Sequence, residues 1–233
     1  GQENGYALDH EGRVHAWGQV HALGFPARLA VDRPRPVGGR RGVRAIAAGP
    51  GSGFALALDQ DGTVWAWGAG YDGELGQGKP CQATSPGRVE LPGPALAIAA
   101  SQASAWALLA DGSVWFWGNG QLIELVERGS VRIKQPKRID GLEGIARLVA
   151  SDHACAAWTD GGECHVLGGG WANLLALHDP GPRVRREPRL DGIAGLALGR
   201  RHALAWDVTG QATVFGMANG GALALGIEQE DQG

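Results

Sequence analysis

The sequence is short of the residues on which chemistry is usually built. It has three cysteines, Cys81, Cys155 and Cys164, and they form no metal-ligand spacing such as C-x-x-C. Its seven histidines show no H-E-x-x-H or related spacing. No G-x-S-x-G elbow is present, and no Cys–His pair stands out. A catalytic residue, a metal and a cofactor are therefore not expected, and the chain reads as a non-enzyme. No apolar run approaches the ~20 residues of a membrane-spanning helix, and no signal peptide is visible. Helix signals are nearly absent. The net charge of −3 argues against indiscriminate adhesion to nucleic acid.

Glycine, by contrast, is abundant: 40 residues, against a usual share of about 7%. The glycines mark a repeat. Leu58-Asp59-Gln60-Asp61-Gly62-Thr63-Val64-Trp65-Ala66-Trp67-Gly68 reads as a strand, an Asp-Gly turn and a returning strand of period two. Copies run over Glu11–Gly18 and Asp111–Gly118, and weaker ones end at Leu167-Gly168 and Phe215-Gly216. The closing glycines Gly18, Gly68, Gly118, Gly168 and Gly216 are 50, 50, 50 and 48 residues apart. A fixed period of this size indicates a propeller or stacked array whose units cannot bury their apolar faces alone. Residues 1–233 are expected to form a single repeat array, with units centred on hairpins 4–18, 54–68, 104–118, 153–168 and 202–216.

Each unit offers four candidate strands. The first is small and apolar, as in Ala45-Ile46-Ala47-Ala48, and suits the narrow inner end of a blade. The second and third form the hairpin. The fourth is expected to start from a proline, at Pro34, Pro86, Pro136 and Pro188, which places it on the outer edge because proline cannot donate to a ladder. The prediction is an all-β propeller of four-stranded antiparallel blades ordered inner, second, third, outer. In the fourth unit Gly161-Gly162 is read as an extra residue, a bulge. The run Gln121–Val126 replaces the usual glycine loop of the third unit.

His202-Ala203-Leu204, the Asp61–Gly68 stretch and Glu74-Leu75-Gly76-Gln77-Gly78 together resemble the regulator of chromosome condensation repeat family, over essentially the whole chain. That resemblance implies a propeller, usually of seven blades; five hairpins are present here. The expected His is Asn4, Phe54 and Ser104 in the first three units. No inner strand precedes Asn4 and no proline-led strand follows Gly226, so a segment or chain that completes the ring is expected. The resemblance also implies two activities to weigh: guanine-nucleotide exchange on a Ran-like small GTPase with chromatin binding, and inhibition of a secreted hydrolase.

Several motifs lose to the repeat. Gly68–Gly73 matches G-x-G-x-x-G, but no helix follows to hold a pyrophosphate. Gly73–Lys79 approaches a phosphate loop, but Pro80 stands where a Ser or Thr belongs. Asp59–Gly62 starts like a calcium loop, but Gly70 stands at position twelve. His153 and His202 share one repeat position, which favours a structural role. Cys155 and Cys164 flank one hairpin, where two buried thiols are favoured over a bond. Trp65, Trp67, Trp115 and Trp117 read as packing between blades.

Aromatics outside the period are better interface candidates: Tyr71 and Trp171, in the loop after the closing Trp-Gly or Leu-Gly, with Asn119, Asn173 and Asn219 in the same loops. The outer strands carry a candidate basic patch, Arg33, Arg35, Lys134, Lys137, Arg138, Arg185 and Arg186. It reads either as a solvated rim that resists edge pairing or as a surface for nucleic acid or another acidic partner. The expected function is a protein-interaction module that displays loops on one face, with another protein as the leading partner.

Overall fold

The computed structural model describes residues 4–39, 41–49, 53–79, 81–120, 132–151, 154–168, 184–199 and 202–216. Its repeat hairpins all close alike. Gly62 donates its N–H to Asp59 O at 3.1 Å, Asp59 donates to Thr63 O at 2.9 Å, and Gly62 takes φ 84°. This is a β-turn followed by one left-handed residue, a position glycine occupies without strain. The Asp61 carboxylate fixes the turn by accepting the Thr63 N–H at 3.0 Å.

Five antiparallel sheets result, one per unit. The first comprises β1 (Asn4–Leu8), β2 (Val14–Gly18) and β3 (Val31–Pro36). The second comprises β4 (Val43–Ala47), β5 (Phe54–Asp59), β6 (Val64–Gly70) and β7 (Cys81–Val89). The third comprises β8 (Ala95–Ala100), β9 (Ser104–Leu109), β10 (Val114–Asn119) and β11 (Arg132–Arg138). The fourth comprises β12 (Ile145–Ala150), β13 (Cys155–Thr159), β14 (Cys164–Leu167) and β15 (Val184–Arg186). The fifth comprises β16 (Ile193–Leu198), β17 (His202–Asp207) and β18 (Ala212–Gly216). Strand order within each four-stranded sheet is sequential, inner to outer. The fold is an all-β propeller array.

Two local expectations need correction. The outer strands begin before their prolines, at Val31, Cys81 and Arg132. Pairing steps from Ala16↔Arg35 to Gly18↔Val31, from Ala66↔Gly87 to Gly68↔Ala83, and from Phe116↔Lys137 to Gly118↔Ile133. Pro34, Pro86 and Pro136 fall inside these gaps, where a missing N–H costs no ladder bond. Pro188 is not their equivalent: it opens a 3-10 turn, Pro188–Leu190, after β15 has ended. Glu187 donates to Cys164 O at 2.8 Å, as Val37 does to Val14 O at 2.8 Å and Ile139 to Val114 O at 2.9 Å. A buried glutamate thus stands where the other blades place Val or Ile, held by Arg189 Nε at 2.7 Å.

Nor does the fourth hairpin contain a bulge. Trp158↔Cys164 and Ala157↔His165 keep the register of Leu58↔Val64 and Ala57↔Trp65. Gly161 simply occupies the place of Asp61. Bulges sit instead on every inner strand, between Val43 and Ala45, Ala95 and Ala97, Ile145 and Arg147, and Ile193 and Gly195.

The core lies between blades rather than within them, in four apolar clusters. Period two gives each second strand a large face and a small one. In β5, Phe54, Leu56 and Leu58 face forward into the cluster shared with the third blade, while Ala55 and Ala57 face back toward the first. The third strand reverses this: Val64 and Ala66 face forward, Trp65 and Trp67 back. Large forward residues therefore meet the alanines of the next blade, and its tryptophans meet small residues on the preceding one. Trp67 and Trp117 are fully buried. Trp65 and Trp115 are only half-buried and donate within their own hairpins, to Asp59 Oδ2 at 2.8 Å and Ser113 Oγ at 3.0 Å. Cys155 faces the third blade and Cys164 the fifth, both as free buried thiols.

Candidate functional site: the loop face of the blades

Antiparallel order sends the hairpin turns and the links between blades to one end of the sheets, and the loops from third to outer strand to the other. The hairpin end is closed off by backbone. Val43, Ala95, Ile145 and Gly192 donate to the turn carbonyls of Gly12, Gly62, Gly112 and Gly162 at 3.1, 2.9, 3.1 and 2.8 Å. It is also acidic. Asp9 binds His15 Nε2 at 2.9 Å and Arg13 Nε at 2.8 Å, and these bonds, with that from the Arg13 N–H, hold its carboxyl well below the usual range.

The opposite end carries the loops, and those of the first and second blades are anchored by the blade that follows. Trp67 donates its indole N–H to Ala22 O at 3.2 Å, beside Tyr6 OH, which donates to the same carbonyl at 2.7 Å. Trp117 donates to Glu74 O at 2.7 Å. The residues that follow, Leu23-Gly24 and Leu75-Gly76, carry the loop past the indole. A Cβ on Gly76 would sit 3.0 Å from Trp117 Nε1 and from Val89 Cγ1, at φ 64°. The Leu-Gly of the repeat is therefore a socket for the tryptophan of the blade that follows.

The second loop is pinned further. Arg132 Nε pairs with Asp72 Oδ1 at 2.8 Å, and Gly78 donates to Lys134 O at 2.8 Å. Glu74 is buried and accepts the Asp72 N–H at 2.8 Å, and burial raises its carboxyl above the usual range. On this rigid base Tyr71 stands 61% exposed. Leu29, in the corresponding loop of the first blade, is 80% exposed. The sequence reading missed Leu29, although it is an aliphatic residue outside the period, next to Arg28.

The other candidates separate. Asn119 ends β10, pairs with Arg132 across the ladder, and donates to Ala103 O at 2.8 Å, so its backbone belongs to the sheet. Trp171, Asn173 and Asn219 lie outside the described residues, as does His153. Arg33, Arg35, Lys134, Lys137 and Arg138 are exposed on β3 and β11 and form no ion pair among the described residues. Arg186 is neutralised by Asp191 at 2.6 Å and Glu163 at 3.4 Å. Arg185 is largely buried, 3.9 Å from Glu187. The basic patch thus reduces to the outer strands of the first and third blades. Among the described residues no group of His, Cys, Asp or Glu could hold a metal, and no helix is long and apolar enough to cross a membrane.

Residues 61–108 and 43–74 match models of the Regulator of chromosome condensation (RCC1) repeat. The chain carries regulator of chromosome condensation repeats. Consistent with that, it is 28% identical over 233 residues to E3 ubiquitin-protein ligase HERC2 of Homo sapiens and of Mus musculus, covering 94% of this chain and 5% of those proteins. Among solved structures, human WBSCR16 superposes with a TM-score of 0.82 at 20% identity, over 97% of this chain and 63% of that one. Prp20p from Saccharomyces cerevisiae gives 0.78 at 21% identity, over 97% and 59%. These RCC1-repeat likenesses show the propeller fold. The chain spans less than two thirds of each relative.

Proposed function

We propose that this chain is a non-enzymatic interaction module whose loop face binds another protein. The observation that carries this reading is the setting of Tyr71. An aromatic side chain stands in solvent on a loop held at three points by the next blade, so the surface is fixed before a partner arrives and little ordering entropy remains to be lost. Leu29 is a second exposed apolar side chain, in the corresponding loop of the first blade, and Arg33 and Lys134 are exposed on the outer strands that follow these two loops or receive them. These suit a partner with apolar anchors among acidic residues. Photo-crosslinking tests the reading: a crosslinker at position 71 is expected to capture a partner that a crosslinker at position 61, on the hairpin end, does not. Equal capture at both positions, or none at 71, overturns it.

A second reading, nucleotide exchange on a Ran-like GTPase, has one observation behind it. The structure most relevant to it is that of Prp20p, described with its binding to Gsp1p and histones. A nucleotide-release assay separates the two readings, since a display module leaves the release rate unchanged.

A further inference from the structure

The outer strands share one irregularity, and its chemistry differs in a single blade. Between the pairs Ala66↔Gly87 and Gly68↔Ala83, β6 has one residue, Trp67, and β7 has three, Thr84, Ser85 and Pro86. The first blade repeats this bulge with Asp32, Arg33 and Pro34, and the third with Lys134, Gln135 and Pro136. In each sheet the bulged strand is the outermost one. These residues therefore stand off the ladder on the rim, where a bulge re-aims side chains.

The residue before the proline is Arg33 in the first blade and Gln135 in the third, but Ser85 in the second. Of the 12 prolines in the chain, Pro86 alone follows a serine or threonine. Ser85 is exposed, as is Arg88 three residues on, whose Nε lies 3.6 Å from the exposed Glu90. Proline biases the residue before it toward extended backbone and has no N–H to donate. The segment thus presents a hydroxyl on extended chain, a ring without a donor directly after it, and a guanidinium two residues beyond the ring.

We propose that Ser85 is a phosphorylation site for a protein kinase that selects proline after its target and a cation two residues further on. A kinase of that class takes its substrate as an extended segment. The second blade can supply one because residues 84–86 lie outside the pairing, on the outermost strand. Ser85 Oγ attacks the γ-phosphorus of ATP and the Oγ–P bond forms. The bond from the γ-phosphorus to the β,γ-bridging oxygen breaks, ADP leaves with the electron pair, and the hydroxyl proton passes to the kinase's catalytic aspartate. The phosphate adds a charge of about −1.5 to −2 at pH 7. It places this charge between β3 and β11, whose Arg33, Arg35, Lys134 and Lys137 are exposed. The site lies on the rim, apart from the loop face, and stands independently of the partner proposed there.

Incubation of the folded full chain with ATP and a purified cyclin-dependent kinase, the proline-directed probe, tests this. Intact mass is expected to show one added phosphate, and peptide mapping to place it on Ser85. Ser85→Ala should take up none. Pro86→Ala and Arg88→Ala keep the hydroxyl, and each is expected to lower kcat/KM roughly tenfold, about the effect of losing one specific contact. Circular dichroism melts check that the three variants, all on the rim, fold. A native chain that takes up no phosphate overturns the proposal, as does a phosphate on another residue or modification only after denaturation. So do Pro86→Ala and Arg88→Ala variants modified at the wild-type rate.

Discussion

Trp117 and Glu74 meet across a blade boundary, indole N–H to backbone carbonyl at 2.7 Å. This bond joins the two most regular parts of the repeat, the closing Trp-Gly of one unit and the Leu-Gly loop of the unit before it. Trp117→Phe keeps an aromatic ring in the socket but orphans a buried carbonyl, at about 1–3 kcal/mol. Trp117→Ala also opens a cavity, at about 3–5 kcal/mol. Denaturant unfolding should rank the two in that order. Equal losses would mean that the ring contributes nothing beyond the hydrogen bond.

Phe116 and Leu167 show how the array tolerates the loss of that tryptophan. At the first two interfaces the pairs are Ala16 with Trp67 and Ala66 with Trp117. At the third they are Phe116 with Leu167, in one cluster. The bulk has moved from the backward residue to the forward one, and Phe116 is further braced edge-on by Trp106, with ring centroids 4.6 Å apart. Phe116→Ala should cost about 3–5 kcal/mol, and adding Leu167→Trp should recover part of it. A coupling of about 0.5–3 kcal/mol in the double-mutant cycle is expected. Strict additivity would refute the exchange of volume.

These pairs also show what the sequence made legible. The blade, its strand order and its fifty-residue beat were readable because turn glycines and period-two alternation are local signals. Volume exchange between Phe116 and Leu167 was not, because it links residues of different units and needs the forward and backward faces assigned first. Pro188 misled for a related reason: Pro188-Arg189-Leu190 resembles, one residue short, the Pro-x-x-apolar ending of the other outer strands, while Glu187 occupies the apolar position with its charge held by Arg189. Tyr71 was readable as an aromatic outside the period. The anchoring of its loop by Arg132 and Lys134 was not, since sixty residues separate Asp72 from Arg132.

Glu74 gives a pH signature to this anchored loop. Burial raises its carboxyl above the unfolded value, so the folded state binds the proton more tightly than the unfolded chain. Its contribution to stability is fully present below the unfolded pKa and is lost as pH rises through the folded one. Glu74→Gln retains an acceptor for the Asp72 N–H and removes the buried charge. The variant should melt higher than wild type at pH 7, and the difference should vanish near pH 4. A variant less stable than wild type at pH 7 would mean that the charge itself holds the loop, outweighing its burial.

Cys155 and Cys164 belong to one hairpin but to different cores, one facing the third blade and the other the fifth. Successive strands of a sheet place such residues on opposite sides, where their Cβ atoms point apart and no disulfide forms without breaking the blade. Burial also suppresses their reactivity: the Cys164 thiol is pushed up to about 12, and Cys155 is raised as well. In a Cys81→Ser background the native chain should therefore leave a thiol reagent unconsumed, and denaturant should release two equivalents. The melting midpoint should be the same with and without reductant. Fast labelling of the native protein, or a midpoint that falls on reduction, would show that the two cores are not separated by the sheet.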